Sequence, residues 1–324
     1  MNMAIRFHEF GSPEVLRWEE IDIAGPGPGE ARVRHEAVGV NFVDIYQRTG
    51  LYTVPLPAVA GNEGAGIVEA VGDGVTLVKP GDRVAYAGSA GSYCEVRNIA
   101  ADRLCLLPDD VTFEQGAAMM LKGLTVQYLI RRTYHVQHGD MVVFHAAAGG
   151  VGSIACQWLK SLGATVIGTA GSAEKCELAL RNGANFCINY RTENIVERVR
   201  EITNGEGVPV VYDSVGKDTF ESSLKCLSPL GLLVSFGNAS GPVPPVNLGL
   251  LAQHGSLYVT RPSLTTYAAK RSDLEYMAQE LFDVVQSGAV KIAISRRYPL
   301  KDAAHAHCDL EARKNTGSSI LLPH

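Results

Sequence analysis

The stretch 140–169, DMVVFHAAAGGVGSIACQWLKSLGATVIGT, constrains the fold more than any other part of this chain. Met141, Val142, Val143 and Phe144 form a short, apolar, β-branched run, the pattern of a buried strand. A glycine cluster follows, Ala147-Ala148-Gly149-Gly150-Val151-Gly152. Apolar residues then recur at helical spacing through Val151, Ile154, Ala155, Trp158, Leu159 and Leu162. Gly163 ends that helix, and residues 164–168 begin a second strand. Strand, glycine turn, helix and parallel strand within about 30 residues make one βαβ unit.

The glycine turn reads as a phosphate cradle. Glycines let the backbone turn sharply and admit a pyrophosphate, while free N–H groups and the positive end of the helix dipole face the anion. The loop matches G-x-G-x-x-G at Gly149 and Gly152, with Ala147 in the first glycine place. Glycine turns before helices also serve purely structural ends, and the flanking strands favour the dinucleotide reading here. The end of the second strand selects the dinucleotide. An NAD site carries Asp or Glu about 20 residues past the first glycine. This chain has Thr169-Ala170-Gly171-Ser172-Ala173-Glu174-Lys175, with no acid ending the strand. Ser172 and Lys175 suit a 2′-phosphate. Glu174 argues the other way unless, in a first helical turn, it faces solvent. The expected cofactor is NADPH.

The alternation continues. Residues 186–190, 208–213, 231–237 and 256–260 read as strands, with helices over 194–203 and 220–227. Pro209 delays the regular ladder of its strand. Repeated βα units imply a doubly wound parallel sheet with ligand at the carboxyl ends of the strands. That rule places Gly149, Gly150, Val151 and Gly152 around a pyrophosphate, and Gly171, Ser172, Lys175 and Tyr190 around the adenosine end. Ser214, Val215, Gly237, Asn238, Ser263 and Leu264 then line the cofactor groove. Outside this region, residues 1–123 show short strands such as 5–7 and 30–40 divided by glycine turns, the pattern of a small barrel. Leu274, Met277, Leu281, Val284 and Val285 mark a helix capped by Gly288. Residues 301–312 read as another helix and 318–322 as a last strand.

At 324 residues the chain exceeds one compact core, so two domains are expected. A net charge of −5 gives no reason to expect nucleic acid or an anionic membrane surface, and no apolar run has transmembrane length. The N-terminus lacks the apolar segment of a signal peptide. Seven scattered cysteines without a C-x-x-C pair point to reduced thiols and a cytoplasmic protein.

Gly61-Asn62-Glu63-Gly64-Ala65-Gly66-Ile67-Val68-Glu69-Ala70-Val71-Gly72 and Lys79-Pro80-Gly81-Asp82-Arg83-Val84-Ala85 resemble the GroES-like domain of the medium-chain dehydrogenase/reductase superfamily. The AAAGGVG loop, with Gln157 and Lys160 on the helix behind it, resembles the quinone oxidoreductase, zeta-crystallin-like branch. The resemblance extends over essentially the whole chain, through Asn41-Phe42-Val43-Asp44-Ile45-Tyr46, Tyr212-Asp213-Ser214-Val215-Gly216 and Val259-Thr260-Arg261-Pro262-Ser263-Leu264. It implies an α/β protein in two parts. Residues 1–123 and 265–324 would form a GroES-like β-rich catalytic domain. Residues 124–264 would form a Rossmann NADPH-binding domain.

The resemblance further implies NADPH-dependent reduction of quinones in an interdomain cleft, by hydride or by single electrons, and a homodimer. Its pocket residues fall on Asn41, Asp44, Tyr46 and Tyr52. Asn41 and Tyr46 suit a quinone or enone oxygen, and Tyr46 or Tyr52 a flat ring. Asp44 is equally suited to bonding backbone at a helix start. Thr125 would face the nicotinamide. Arg313 would assist at the 2′-phosphate or stand as an exposed helix-end arginine. Two alternatives stay open: reduction of an α,β-unsaturated carbonyl, with Tyr46, Tyr52 or water as proton source, and an NADPH-binding protein without catalysis.

Zinc-dependent members of the superfamily place a histidine where this chain has Asn62, and a cysteine near 41–44, where it has none. A catalytic zinc wants three strong ligands and an open position, so no metal is expected. Lys122 suits either a cofactor contact or a salt bridge. His145 reads as a satisfied core histidine, His305 and His307 as facing different sides of a helix, and Cys94 and Cys105 as small buried apolar groups.

Overall fold

The apolar runs of residues 141–260 assemble into one parallel sheet. In the computed structural model, which describes residues 2–323, six strands lie in the order Phe186–Asn189, Thr165–Ala170, Met141–Phe144, Val208–Asp213, Leu227–Ser235, Tyr258–Thr260. Every neighbouring pair is parallel. The chain starts mid-sheet, winds to one edge, then crosses back and winds to the other, the doubly wound order. Strands covered on both faces must be apolar on both. Val143, Ile167, Ile188, Val211 and Leu233, one from each of five strands, share a buried cluster with Val199 and Leu224 of the helices Ile195–Ile202 and Phe220–Cys226.

The ladder slips in register between Val208 and Val210, with the extra residues on the partner strand, where Leu230 sits at φ 62°; pairing with Met141–Phe144 begins only at Val210, after Pro209. The fifth strand begins at Leu227, not at 231, because Leu227 already pairs with Val208. Leu264, expected in a loop, opens the short helix Leu264–Tyr267.

Four helices position the candidate site: α1 (Phe42–Arg48), α2 (Phe113–Tyr128), α3 (Gly150–Ser161) and α4 (Ala173–Arg181). A reciprocal pair starts α2. The Thr112 N–H donates to Gln115 Oε1 at 2.9 Å, and the Gln115 N–H to Thr112 Oγ1 at 3.1 Å, a capping box.

The chain divides into two compact units. The second comprises Thr125–Tyr267 and Asp283–Lys291, and holds the parallel sheet. The first comprises Met1–Leu124, Ala268–Phe282 and Ile292–His324. Its seven-stranded sheet runs Ile294–Pro299, Ser318–Leu322, Glu30–Val40, Glu63–Val71, Arg83–Ala87, Cys105–Leu106, with Val96–Ala100 also pairing Glu30–Val40. A three-stranded sheet, Arg17–Ile21, Asn2–Phe7, Ala58–Val59, accompanies it.

Along Glu30–Val40, Ala31, Val33, His35 and Ala37 alternate inward, and from Ala37 onward both faces are buried. That switch is where the last strand lies alongside: Ser319, Ile320 and Leu321 pair with Val40, Gly39 and Val38. Ile5 and Phe7 from one chain end pack with Tyr298, Leu300, Ala306 and Leu321 from the other. This shared apolar cluster ties both ends into the first unit.

Candidate active site

Candidate residues fall on both units, and each group is built from its own unit's elements. In the second unit the first strand delivers the chain to Ala146, held in the left-handed region at φ 53°. A non-glycine residue rests there only when its surroundings enforce it. The Gly149 N–H donating to the Ala146 carbonyl at 2.9 Å, and the Ala147 N–H to the Thr169 carbonyl at 3.0 Å, do so. Gly149 is the N-cap of α3. The first-turn N–H groups of a helix have no partner within it, and with the dipole they offer an anion site.

Gly152, the third glycine of the motif, is needed for packing. A Cβ there would lie 2.4 Å from the Ala146 oxygen, so this glycine lets the helix pack on its own turn. Gly149 is the open position, where an added Cβ meets only the Ala146 oxygen at 3.2 Å. The alanine in the first glycine place is accommodated across the sheet. The Ala147 methyl lies 2.7 Å from where Gly168 would carry a Cβ, so Gly168 makes its room.

At the second strand end, Ser172 caps α4, accepting from the Lys175 N–H at 3.3 Å. Glu174 is exposed, and a hydrogen bond from Ser172 holds its carboxyl below the usual range. Tyr190 lies over Gly171, where a Cβ would come within 2.4 Å of the phenol oxygen. Gly171, Ser172 and Tyr190 thus meet at this strand end, with Lys175 in the first turn of α4.

The later loops are shaped from beneath. The buried Asp213 carboxylate accepts from the N–H groups of Val215 at 2.8 Å and Gly216 at 3.0 Å, and from Thr219 and Ser223 hydroxyls. His145 bridges Thr169 Oγ1 at 2.9 Å and Ser223 Oγ at 3.0 Å, and burial holds its imidazole below the usual pKa. This network braces the ends of three strands from below. Gly237 packs on Ser214, and Arg261 donates to the Gly237 carbonyl at 3.2 Å. Ser263 caps its short helix through Thr266. Thr125 is half-buried on α2. The residues of this half therefore suit a dinucleotide phosphate: a glycine-lined helix start, then a strand end bearing Ser172 and Lys175.

In the first unit, α1 starts at Asn41. The Asn41 amide donates to Glu63 Oε2 at 2.8 Å, and its N–H to Asp44 Oδ2 at 2.8 Å. Tyr46 is 8% exposed and meets the Tyr52 ring edge-on, centroids 5.2 Å apart, with Tyr52 37% exposed. Asp44 lies beneath. It is buried, and its oxygens accept from Asn62 Nδ2 at 2.8 Å, Tyr93 Oη at 2.9 Å and the Asn41 N–H. Burial pushes its carboxyl up to about 6, against these bonds and the nearby Lys122 charge. Asp44 therefore shapes the start of α1 from below.

The bonds continue inward. Tyr93 Oη meets His307 Nε2 at 3.1 Å, His307 Nδ1 meets Arg48 Nη1 at 3.3 Å, and Arg48 pairs with Glu311 at 2.6 Å. Arg48 can only donate, so His307 Nδ1 accepts and Nε2 carries the proton toward Tyr93. Burial, then the Arg48 charge, pulls the His307 imidazole down to about 3. Arg48 and Tyr93 are distant in sequence from His307 and Glu311, which share one helix, and only the fold joins them. His305 is exposed while His307 is buried. Cys94 and Cys105 are buried. Arg313, past the helix Ala303–Glu311, is exposed with φ 55°.

The position of the zinc histidine is filled by an amide network. Asn62 Nδ2 donates to Asp44 Oδ1 at 2.8 Å and to Gln47 Oε1 at 2.7 Å, and Asn62 Oδ1 accepts from Gln47 Nε2 at 3.3 Å. Amides so engaged are poor zinc donors. Among the described residues no three His, Cys, Asp or Glu side chains gather as a metal site.

Comparison with known proteins agrees with this geometry. A family model described as alcohol dehydrogenase GroES-like domain matches residues 27–136, and one described as zinc-binding dehydrogenase matches 150–282. The second name does not carry a metal to this chain, given Asn62. A quinone oxidoreductase of Pseudomonas aeruginosa is 56% identical, covering 100% of both chains. A 2-haloacrylate reductase of Burkholderia is 44% identical, over 100% of this chain and 99% of its own. The solved structure of an Escherichia coli quinone oxidoreductase complexed with NADPH superposes with a TM-score of 0.98 at 54% identity, covering 99% of this chain and 100% of that one.

Proposed function

We propose that this chain, which belongs to the zinc-independent quinone oxidoreductase branch of the medium-chain dehydrogenase/reductase superfamily, reduces quinones with NADPH and without metal. One observation carries the cofactor half: a glycine-lined helix start precedes a strand end with Ser172 and Lys175 and no acid. NADPH, when bound, supplies the hydride. The chain's own residues do the rest. Gly149, Gly150 and Val151 would hold the pyrophosphate on the first turn of α3. Ser172, Lys175 and Tyr190 would take the adenosine 2′-phosphate end, with Arg313 assisting. Ser214, Val215, Gly237, Asn238, Ser263 and Leu264 would line the groove, and Thr125 the nicotinamide side. On the first unit, Asn41 and Tyr46 offer hydrogen bonds to an acceptor oxygen, Tyr52 offers a ring face, and Asp44 fixes Asn41 from below.

The 44% identical 2-haloacrylate reductase supports a second reading, reduction of an activated alkene. The Tyr46 and Tyr52 hydroxyls are then candidate proton sources. Comparing kcat/KM for 1,4-benzoquinone and for a simple enone separates the two. The quinone reading expects at least a tenfold preference for benzoquinone, and the reverse preference would replace it.

A homodimer fits the edge of the parallel sheet. Among the described residues Tyr258–Thr260 leaves one strand edge unpaired, with Tyr258 62% exposed and Leu248 76% exposed nearby in sequence. Light scattering at micromolar protein should give twice the chain mass, and a monomer would overturn this. Free cysteines, and no described helix long and apolar enough to cross a membrane, support a cytoplasmic setting.

A further inference from the structure

The first unit holds a buried cation that the residues named so far do not use. Lys122, on α2, is 6% exposed, and its Nζ lies 3.3 Å from Glu63 Oε2. Glu63 is fully buried. Its other oxygen accepts from the Leu121 N–H at 2.7 Å, and Oε2 also accepts from Asn41 Nδ2 at 2.8 Å. The ammonium of Lys122 and the amide of Asn41 therefore sit side by side on one carboxylate oxygen. An ammonium carries three N–H donors, and among the described residues only Glu63 accepts one from Lys122. A buried charge is costly unless paired, and Glu63 pairs this one, leaving two N–H donors free of a partner among the described residues. Thr125 lies three residues further along α2, on the same helix face. Lys122 thus shares its carboxylate oxygen with Asn41, the residue expected to meet the acceptor oxygen.

We propose that Lys122 is a catalytic residue that donates a charged hydrogen bond to the acceptor oxygen and supplies the proton that completes its reduction. The inference rests on the quinone-reductase reading and deepens it. Two electrons and one hydrogen nucleus, arriving as hydride from NADPH, convert the quinone to a hydroquinone monoanion. Negative charge gathers on the oxygen that gained no hydrogen. A preorganised cation stabilises that charge as it forms. The Nζ–H bond then breaks, its proton passes to the oxygen, and the neutral amine takes a proton from solvent. Glu63 keeps Nζ in place. The cation does at this oxygen what a metal does in the zinc-dependent branch, polarising it without a metal ligand set.

The test uses 4-nitrophenol, a small ring whose ionised and neutral forms absorb at different wavelengths, titrated into the full-length protein without turnover. Lys122→Met alone would leave Glu63 buried and unpaired, so the variant pairs it with Glu63→Gln, and Lys122→Arg tests charge rescue. The wild type and Lys122→Arg should bind the phenolate. The double variant should bind neutral phenol and lose about a hundredfold in kcat/KM with 1,4-benzoquinone. If the nitrophenol competes with benzoquinone yet binds in the same ionisation state in all three proteins, Lys122 is not the oxyanion partner and the acceptor site stands. If it binds without competing with benzoquinone, this face is not the acceptor site and both readings fall.

Discussion

Replacing His307 with Gln should flatten the acid side of the stability curve. His307 is fully buried, and its imidazole is pulled from 6.5 to about 3, first by burial and then by the Arg48 charge. The folded state holds it neutral while the unfolded state binds a proton below 6.5. The unfolded state thus takes up more protons, and stability falls as pH falls. The contribution is complete above 6.5 and drains away down to about 3. At pH 4 the depressed group has forfeited roughly 3 kcal/mol, at 1.36 kcal/mol per unit. Gln can accept from Arg48 and donate to Tyr93, so the variant keeps both bonds and loses the titration. Urea unfolding at pH 8 and pH 4 measures the difference. The wild type should lose about 3 kcal/mol more than His307→Gln between those values. His35, also buried and lowered to about 3, remains in both proteins and cancels in the comparison. Asp44 runs the other way. Its raised carboxyl favours the folded state below about 4, and that advantage is lost as pH rises through about 6. Repeating the pair with Asp44→Asn separates the two groups. Parallel curves for wild type and His307→Gln in both backgrounds would refute the assigned tautomer and the energy attached to it.

Lys175→Ala should weaken NADPH about tenfold or more while leaving NADH nearly unchanged, because only NADPH carries the 2′-phosphate. Equal losses by calorimetry would mean that Lys175 does not read that group. Gly152→Val should cost about 1–3 kcal/mol in unfolding experiments and abolish binding of both cofactors, since its side chain meets the Ala146 carbonyl. Full stability with lost binding would instead place Gly152 against the pyrophosphate. Ser172→Ala should destabilise α4 by about 1 kcal/mol through its lost cap, read as a lower midpoint in thermal unfolding.

Local signals in the sequence reached as far as local physics does. The βαβ unit at 140–169 was legible because a β-branched run, a glycine turn and a helical apolar stripe each act over a few residues. The strand at 318–322 was legible for the same reason. Pairing with Met141–Phe144 starts only after Pro209, because a missing N–H acts where it stands. Helix α2 went unread although the Thr112–Gln115 capping box marks its start, since the neighbouring glycine turns suggested strands. The bracing of the acceptor half was not legible. Tyr93 and His307 are separated by more than 200 residues, and nothing near either reveals the other. The part of Gly152 also needed coordinates: a motif shows that a glycine is required, not which atom it must avoid.

The most direct test follows single-turnover oxidation of NADPH by anaerobic stopped flow on mixing with 1,4-benzoquinone, using NADPH and its deuterated form at the hydride-bearing carbon. Oxidation that depends on the quinone, runs far faster than without protein, slows severalfold with deuterium and is much weaker with NADH is the predicted result. Absence of protein-dependent oxidation with quinone, while NADPH still binds, would contradict the account at its centre.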